Sequence, residues 1–509
     1  MRREALVVWL VGAAAALDAD EWADFPAYCA KHVEKNAIAP LPSADQYALN
    51  QVQIAIRHGA RTLVQRSTCW SGYNATWNCN ARNHIEPALG ASTHRSFDVQ
   101  YTPGETVLQG TCQVGQLLDE GYRQETTNGQ HFYDAYIASS RLFPKDTPVD
   151  LADPTSVYLS STDMQRTVMS GQLVVDAMFP MPATTAALIP WHVGDVSQSS
   201  FIPNPFACPR LGDLKDAFEA SDGYRLWLHM HDELVATMHA TFPNYDPKGL
   251  FDCMLTARCS LTRNDMPLAL TPSLYKDIIR FERDKRMKIY TEDDEYAKLS
   301  MSKLLRSIRA KMQASSPKFV LYSGHDDTVM PILAAIGGAD WLRDWPPYAA
   351  FVAFEVYTQV ATAARFVRIV YQGKPLTLPG CNADALCPLS LFLEWTAFAE
   401  TADCTRSTPP ALETPEPVPA TDAGVSITDE SSTHVSVDTF LVVVVVAVLL
   451  GFVFGLLVAK VARQTEASDR KTEKLLLDAA AADDDETGGL LPAATSEPSS
   501  PTVAMAKKK

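Results

Sequence analysis

Basic charge is in short supply in this chain. Lysine and arginine number 44 against 60 acidic residues, a net charge of −16 over 509 residues. A nucleic-acid backbone wants a basic face, so general nucleic-acid binding is excluded and any positive site must be local, set into an acidic surface. No CxxC pair occurs, which removes a zinc site built from paired cysteines. Two stretches lack charge altogether. The run from Ala5 to Ala16 follows Arg2 and Arg3, is too short to span a bilayer comfortably, and ends in small residues near Ala16 and Ala19. That is the pattern of a secretory signal peptide over residues 1–19. The run from Phe440 to Ala459 is long enough to cross about 30 Å of hydrocarbon and is followed by Lys460 and Arg463. A transmembrane helix over 439–460 with a cytoplasmic C-terminus is expected, hence a single-pass type I membrane protein. Gly451 and Gly455 form a GxxxG that offers a face for a homodimer.

Aromatics and cysteines are missing where a core is missing. The segment 405–438 is rich in Pro, Ser and Thr, cannot bury a core, and reads as a stalk. Residues 461–509 read as a disordered cytoplasmic tail, in which "ETGGLLP" (Glu486 to Pro492) resembles an acidic dileucine signal for endosomes and lysosomes. All ten cysteines lie between Cys29 and Cys404, on the side that crosses the membrane. An even count in an oxidising compartment reads as disulfides. Asn74, in "NAT", is the glycosylation sequon of that side.

Residues 20–404 form the ectodomain. Three of its segments share one grammar of apolar strand, polar turn and helix. "QVQIAIRHGAR" (51–61) reads as a half-buried strand with Val52, Ile54 and Ile56 on one face. At its end Arg57 and Arg61 flank His58, two cations without a visible anionic partner. "SVYLSSTDMQRTVMSGQLVVDAMF" (156–179) starts as a strand, and Thr162 or Asp163 can cap the helix behind it. "KFVLYSGHDDTVMPILAAIGG" (318–338) is a strand to Tyr322, a turn at Gly324 and a helix ending at Gly337. In an α/β sheet, polar groups at the carboxyl ends of strands meet in one crevice. Those groups are Arg57, His58 and Arg61, then Arg166, then His325 with Asp326. The fold expected is α/β: a mostly parallel sheet flanked by helices, a helical cap inserted at about 195–310, and an antiparallel pair of strands after Ala349.

Three arginines, two histidines and an aspartate suit a phosphoryl group. Guanidinium forks grip phosphate oxygens bidentately and neutralise charge developing on them. A neutral imidazole can attack phosphorus and form a phosphohistidine, and a carboxylic acid can protonate the leaving oxygen and later deprotonate water. The missing anion is the substrate.

"RHGAR", "STDMQRT" and "YSGHDDT" resemble the three signatures of the histidine acid phosphatases, the branch with prostatic and lysosomal acid phosphatases and phytases. The likeness extends to "CPR" (Cys208 to Arg210), "PWH" (Pro190 to His192) and "LPGC" followed by "CP" around Cys381 and Cys387, covering nearly all of 50–404. The resemblance implies His58 as nucleophile and Asp326 as proton donor. It implies phosphate binding by Arg57, Arg61, Arg166 and His325, with no metal and no other cofactor. Disulfides Cys208–Cys404 and Cys381–Cys387 are implied too, while Cys29, Cys69, Cys79, Cys112, Cys253 and Cys259 keep open partners. One departure stands out: where the family writes RHGxRxP, Leu63 holds the proline position, which bears on turn rigidity more than on chemistry.

The expected function is phosphate-monoester hydrolysis at acid pH with a lumenal or extracellular active site. A narrower phosphatase, for an inositol phosphate, a sugar phosphate or a lysophospholipid, differs only in what the cap admits. Lys215, Lys248 and Lys276 are too scattered to mark a phytase pocket. A catalytically silent ligand-binding ectodomain would lack the nucleophile or the acid, and both are here. "HMHDE" (His229 to Glu233) invites a metal reading, but helix positions two apart face different ways.

Overall fold

The alternating run at 51–56 lengthens into an eleven-residue strand, β1 (Tyr47–Arg57). It is buried on both faces from Gln51 to Arg57, not on one as the alternation suggests. Val52, Ile54 and Ile56 fill one core, and the glutamines between them are hydrogen-bonded rather than exposed. Gln51 Nε2 donates to the Lys311 and Pro317 carbonyls at 2.9 and 2.8 Å, and Gln53 Nε2 to the Ile308 carbonyl at 2.9 Å. The Tyr322 hydroxyl donates to Gln53 Oε1 at 3.1 Å. Buried amides are tolerated when paired in this way.

The computed structural model describes residues 26–406 apart from 65–68, 81–83, 86–96, 103–104, 140, 180–187, 244–246, 261–268 and 383. The expected signal peptide, the stalk beyond residue 406, the transmembrane helix, the GxxxG, the cytoplasmic tail and its dileucine lie outside them. Among the described residues no helix is long and apolar enough to cross a membrane.

From β1 the chain runs through α1 (Asp119–Tyr133) to β2 (Val157–Thr162), then α2 (Gln165–Met178) and β3 (Trp191–Gly194). Six helices follow: α3 (Arg210–Ala220), α4 (Asp222–His229), α5 (Asp232–Thr241), α6 (Pro247–Cys259), α7 (Pro272–Glu292) and α8 (Asp294–Ala314). The chain then enters β4 (Phe319–Gly324) and α9 (Asp326–Trp341). The last strands are β5 (Phe351–Gln359), β6 (Arg365–Tyr371), β7 (Lys374–Leu376) and β8 (Leu386–Pro388).

One eight-stranded sheet results, in the order β7-β6-β5-β1-β4-β2-β3, with β8 also on β6. It is mixed, which corrects the expectation of a mostly parallel sheet. β1, β4, β2 and β3 are parallel neighbours, whereas β5, β6, β7 and β8 pair antiparallel. The physical reason is connection length: β5 and β6 are joined directly, without the crossover helix a parallel pair requires. On one face, Phe132 of α1 and Val174 and Met178 of α2 pack with Ile54, Phe319 and Leu321. On the other, Leu305 and Ile308 of α8 and Val329 and Ile332 of α9 pack with Val320 and Tyr322.

Five disulfides close the structure. Cys208–Cys404 and Cys381–Cys387 are the pairs the family resemblance implied. The other six cysteines pair as Cys29–Cys259, Cys69–Cys253 and Cys79–Cys112. Two of these staple α6 to segments flanking β1.

Candidate active site

β1 and β4 are adjacent, with Arg57 in register with Gly324, and β2 lies next to β4. The residues that follow these three strands therefore meet at one edge. Arg57 ends β1 and His58 follows it, Arg166 lies in the first turn of α2, and His325 and Asp326 follow β4. The structure brings together all six residues marked in the sequence.

Arg57 has no exposed surface. Its guanidinium lies between the rings of Tyr28 and Tyr348, 4.7 and 4.5 Å from their centroids. It donates to the Pro346 carbonyl and, at 2.7 Å, to the Tyr28 hydroxyl. Its Nη2 stands 3.3 Å from Asp326 Oδ2. Arg61 Nη1 donates to Asp252 Oδ1 at 2.9 Å, while the other oxygen of Asp252 accepts from the Val64 amide at 2.6 Å. The two cations that the sequence left unpartnered thus each have a carboxylate. Arg166 differs in pairing with no carboxylate among the described residues, while the buried Nε of all three arginines is without a hydrogen-bond partner there. Burial and Arg61 push Arg166 down to about 10, still a cation at physiological pH.

His58 is buried, and its Nδ1 lies 2.8 Å from the Gly59 carbonyl. A carbonyl can only accept, so Nδ1 carries the proton and Nε2 keeps its lone pair. Burial, then Arg166, Arg57 and Arg61, hold this imidazole well below its ordinary pKa. His325 packs edge-on against it, with ring centroids 5.5 Å apart, and its Nε2 lies 2.9 Å from Thr162 Oγ1. Burial and Arg166 push His325 down to about 3. Thr162 Oγ1 also meets Thr167 Oγ1 at 2.8 Å. The expected capping of α2 by Thr162 or Asp163 is not seen, because the N-cap is Met164 and makes no side-chain bond. Thr162 is engaged with the site instead.

Asp326 Oδ2 accepts from Trp345 Nε1 at 2.8 Å. Burial works to raise its carboxyl and is overcome by Arg57, Arg286 and Arg61 and by the Trp345 hydrogen bond. The result is a carboxylate well below the usual range, ionised in the empty site. Three guanidiniums against the carboxylates of Asp326 and Asp252 leave one net positive charge around a neutral histidine, a setting for an anion.

The histidine phosphatase superfamily (branch 2) model matches residues 48–372, and the chain belongs to that family. Its chemistry is that of a phosphoric monoester hydrolase. The chain is 28% identical to Counting factor 60 of Dictyostelium discoideum, over 74% of this chain and 90% of that protein. It is 25% identical to Lysophosphatidic acid phosphatase type 6 of Bos taurus, over 72% of this chain and 88% of that protein. Identity to Prostatic acid phosphatase of Mus musculus is 27%, over 55% of this chain and 76% of that protein.

Five groups that shape the site had escaped the sequence reading: Tyr28, Asp252, Arg286, Trp345 and Tyr348. Only "DC" at 252–253, an acid beside a disulfide cysteine, carried any signal.

Proposed function

We propose that this protein is a membrane-anchored acid phosphatase that hydrolyses phosphate monoesters through a phosphohistidine on His58. Arg57, Arg61, Arg166 and His325 grip the phosphoryl group. His58 Nε2 attacks phosphorus in line, the N–P bond forms as the ester P–O bond breaks, and Asp326 delivers a proton to the leaving oxygen. Water then attacks phosphorus, giving its proton to the Asp326 carboxylate as the N–P bond breaks. Because Asp326 is ionised in the empty site, the proton arrives with the substrate. The monoester monoanion, dominant below its second ionisation near about pH 6, brings it. The observation that carries this reading is the buried His58, its Nδ1 2.8 Å from the Gly59 carbonyl, at one sheet edge with Arg57, Arg61 and Arg166.

For the leaving group, a cavity of about 320 Å³ near Asp327 supports a substrate other than a polyphosphate. Phe218, Tyr224, Ile289, Tyr290 and Tyr296 line it. Its cations lie close to carboxylates: Lys215 by Glu219 at 3.2 Å, Lys285 by Glu282 at 4.0 Å and Arg286 by Asp327 at 2.7 Å. A phytase-like pocket needs uncompensated cations, and a lysophospholipid or aryl monoester does not. The helices at about 195–310 are the cap that sets this choice. The charge-free run 440–459 with Lys460 and Arg463, the five disulfides and the exposed Asn74 support a glycosylated lumenal or extracellular ectodomain on a stalk. Endosome, lysosome or cell surface all fit that topology, and the GxxxG supports a homodimer.

The test is turnover of an aryl phosphate by the full-length protein in detergent, at about pH 5 and pH 7.5, with and without chelator. Acid-favoured, chelator-resistant hydrolysis, absent in His58→Ala, is expected. A folded wild type with no turnover on aryl, lipid or sugar phosphates would leave only ligand binding.

A further inference from the structure

Beneath the His58–Gly59 peptide lies a polar cluster that no step of the proposed reaction uses. Glu125 and Asn128 of α1, Ser170 of α2 and Ala349 are all without exposed surface. The peptide unit joining His58 to Gly59 is held at both ends. Its carbonyl accepts from the Ala349 amide at 3.1 Å, and its N–H donates to Ser170 Oγ at 3.2 Å. The carbonyl one residue on, that of Gly59, is the acceptor for His58 Nδ1. Three hydrogen bonds therefore set both the backbone and the ring of His58.

One of the two holders, Ala349, rests on a buried carboxyl. Asn128 Nδ2 donates to the Ala349 carbonyl at 2.9 Å and to Glu125 Oε2 at 3.1 Å. Ser170 holds the Gly59 N–H on its own and makes no hydrogen bond to Glu125, whose Oε1 is buried without a partner among the described residues. Ala349 has φ of +55°, a left-handed conformation that alanine adopts only when its surroundings impose it. Burial raises the Glu125 carboxyl well above the ordinary range, outweighing the bond from Asn128 that pulls it down. A buried carboxylate without a cation is costly, and a carboxylic acid hydrogen-bonded to Asn128 is much less so.

We infer that Glu125, an uncharged side chain that holds Asn128, and Ser170 are positioning residues that fix the carbonyl and N–H ends of the His58–Gly59 peptide and so the direction of Nε2. The inference rests on His58 being the nucleophile. A misplacement on the order of 1 Å at a reacting atom costs about 10²-fold, so loosening this peptide should slow phosphorylation without weakening phosphate capture.

The experiment is rapid-quench formation of phosphohistidine from a labelled aryl phosphate, on full-length wild type and on Glu125→Gln, Glu125→Leu and Ser170→Ala. KM, and Tm as a check on folding, are measured on the same preparations. Glu125→Gln keeps size, neutrality and hydrogen bonding and should phosphorylate within a few-fold of wild type. Glu125→Leu and Ser170→Ala should slow phosphorylation by about 10- to 10²-fold with KM nearly unchanged. Should Glu125→Leu fail to fold, Asn128→Ala, which cuts the link from Glu125 to the Ala349 carbonyl, carries the same contrast with Glu125→Gln. A labelled wild type with Glu125→Gln as slow as Ser170→Ala would overturn the uncharged Glu125, and wild-type rates in Ser170→Ala would overturn the positioning role. An unlabelled but active wild type would overturn the nucleophile assignment, and this inference with it.

Discussion

Arg57 Nη2 lies 3.3 Å from Asp326 Oδ2, so the group proposed to donate a proton is ion-paired and ionised before substrate arrives. A phosphate entering the site competes for the same guanidinium, and the carboxylate then faces an anion.

The pH dependence of kcat/KM follows from that pairing. In the free enzyme Asp326 is held below the usual carboxylate range and His58 well below the usual imidazole range, so a limb near neutrality belongs to neither. The alkaline limb should belong to the substrate, falling as the monoester loses its second proton near about pH 6. A substrate with a lower second pKa should move that limb down by the same amount, and a limb that stays put would assign it to the enzyme. Asp326→Asn should lower kcat about 10²- to 10⁴-fold for alkyl phosphates and much less for aryl phosphates with good leaving groups.

Two buried histidines work against folding in acid. His325 is pushed down to about 3, and His58 is also held well below its ordinary value. Unfolded, both take up protons near about pH 6.5. The unfolded chain therefore binds more protons than the native one below that pH. Stability falls as pH drops toward 3, by up to about 1.4 kcal/mol per pH unit for each histidine. An anion in the site favours the protonated imidazoles, so inorganic phosphate should raise Tm more at about pH 4.5 than at about pH 7.5. Melts with and without phosphate decide it; equal increments would mean the histidines do not feel the bound anion.

The three motifs were legible because each is local: a strand, a turn and a helix within about twenty residues, with chemistry written at the junction. The groups that tune them were not. Tyr28 and Trp345 reach Arg57 and Asp326 from outside those motifs, and Asp252 reaches Arg61 from α6, 191 residues away. A single tyrosine or aspartate carries no periodicity to announce such a contact. The mixed sheet was half legible for a related reason. The strand pair after Ala349 reads from its own pattern, but which strand it joins is decided by packing. β5 pairs with β1 along nearly its whole length, placing the hairpin inside the sheet rather than at its edge.

Asp252 sets stability against binding. Removing it in Asp252→Ala leaves Arg61 buried without its carboxylate and should cost about 3–5 kcal/mol. Asp252→Asn keeps an acceptor for the Val64 amide and should cost less. It also removes a negative charge from the anion site, so phosphate should inhibit Asp252→Asn more tightly than wild type by several-fold. Chemical denaturation and the inhibition constant for phosphate, measured on one preparation, check both signs. Weaker inhibition would show that Asp252 mainly orients Arg61 and does not compete with the anion.

Gly59 tests how rigidly the loop is seated. A Cβ there would lie 2.5 Å from the Gly121 carbonyl oxygen and 2.6 Å from Gly121 Cα, and one on Gly121 would lie 2.3 Å from the Ala60 carbonyl oxygen. Backbone meets backbone at both positions, so no side chain can swing away to make room. The methyl must lift the start of α1 from the loop, opening the 2.8 Å bond from the Ala60 amide to Gln124 Oε1. Gly59→Ala should therefore lose about 10²-fold or more in kcat even where it folds. Gly223 in α4 is the control. A Cβ there meets nothing within 4 Å, and Gly223→Ala should keep wild-type kcat while gaining about 0.5–1 kcal/mol from reduced chain entropy. Both are read by kcat and thermal melts. Wild-type kcat in Gly59→Ala would mean that the loop is seated less tightly on α1 than its contacts require.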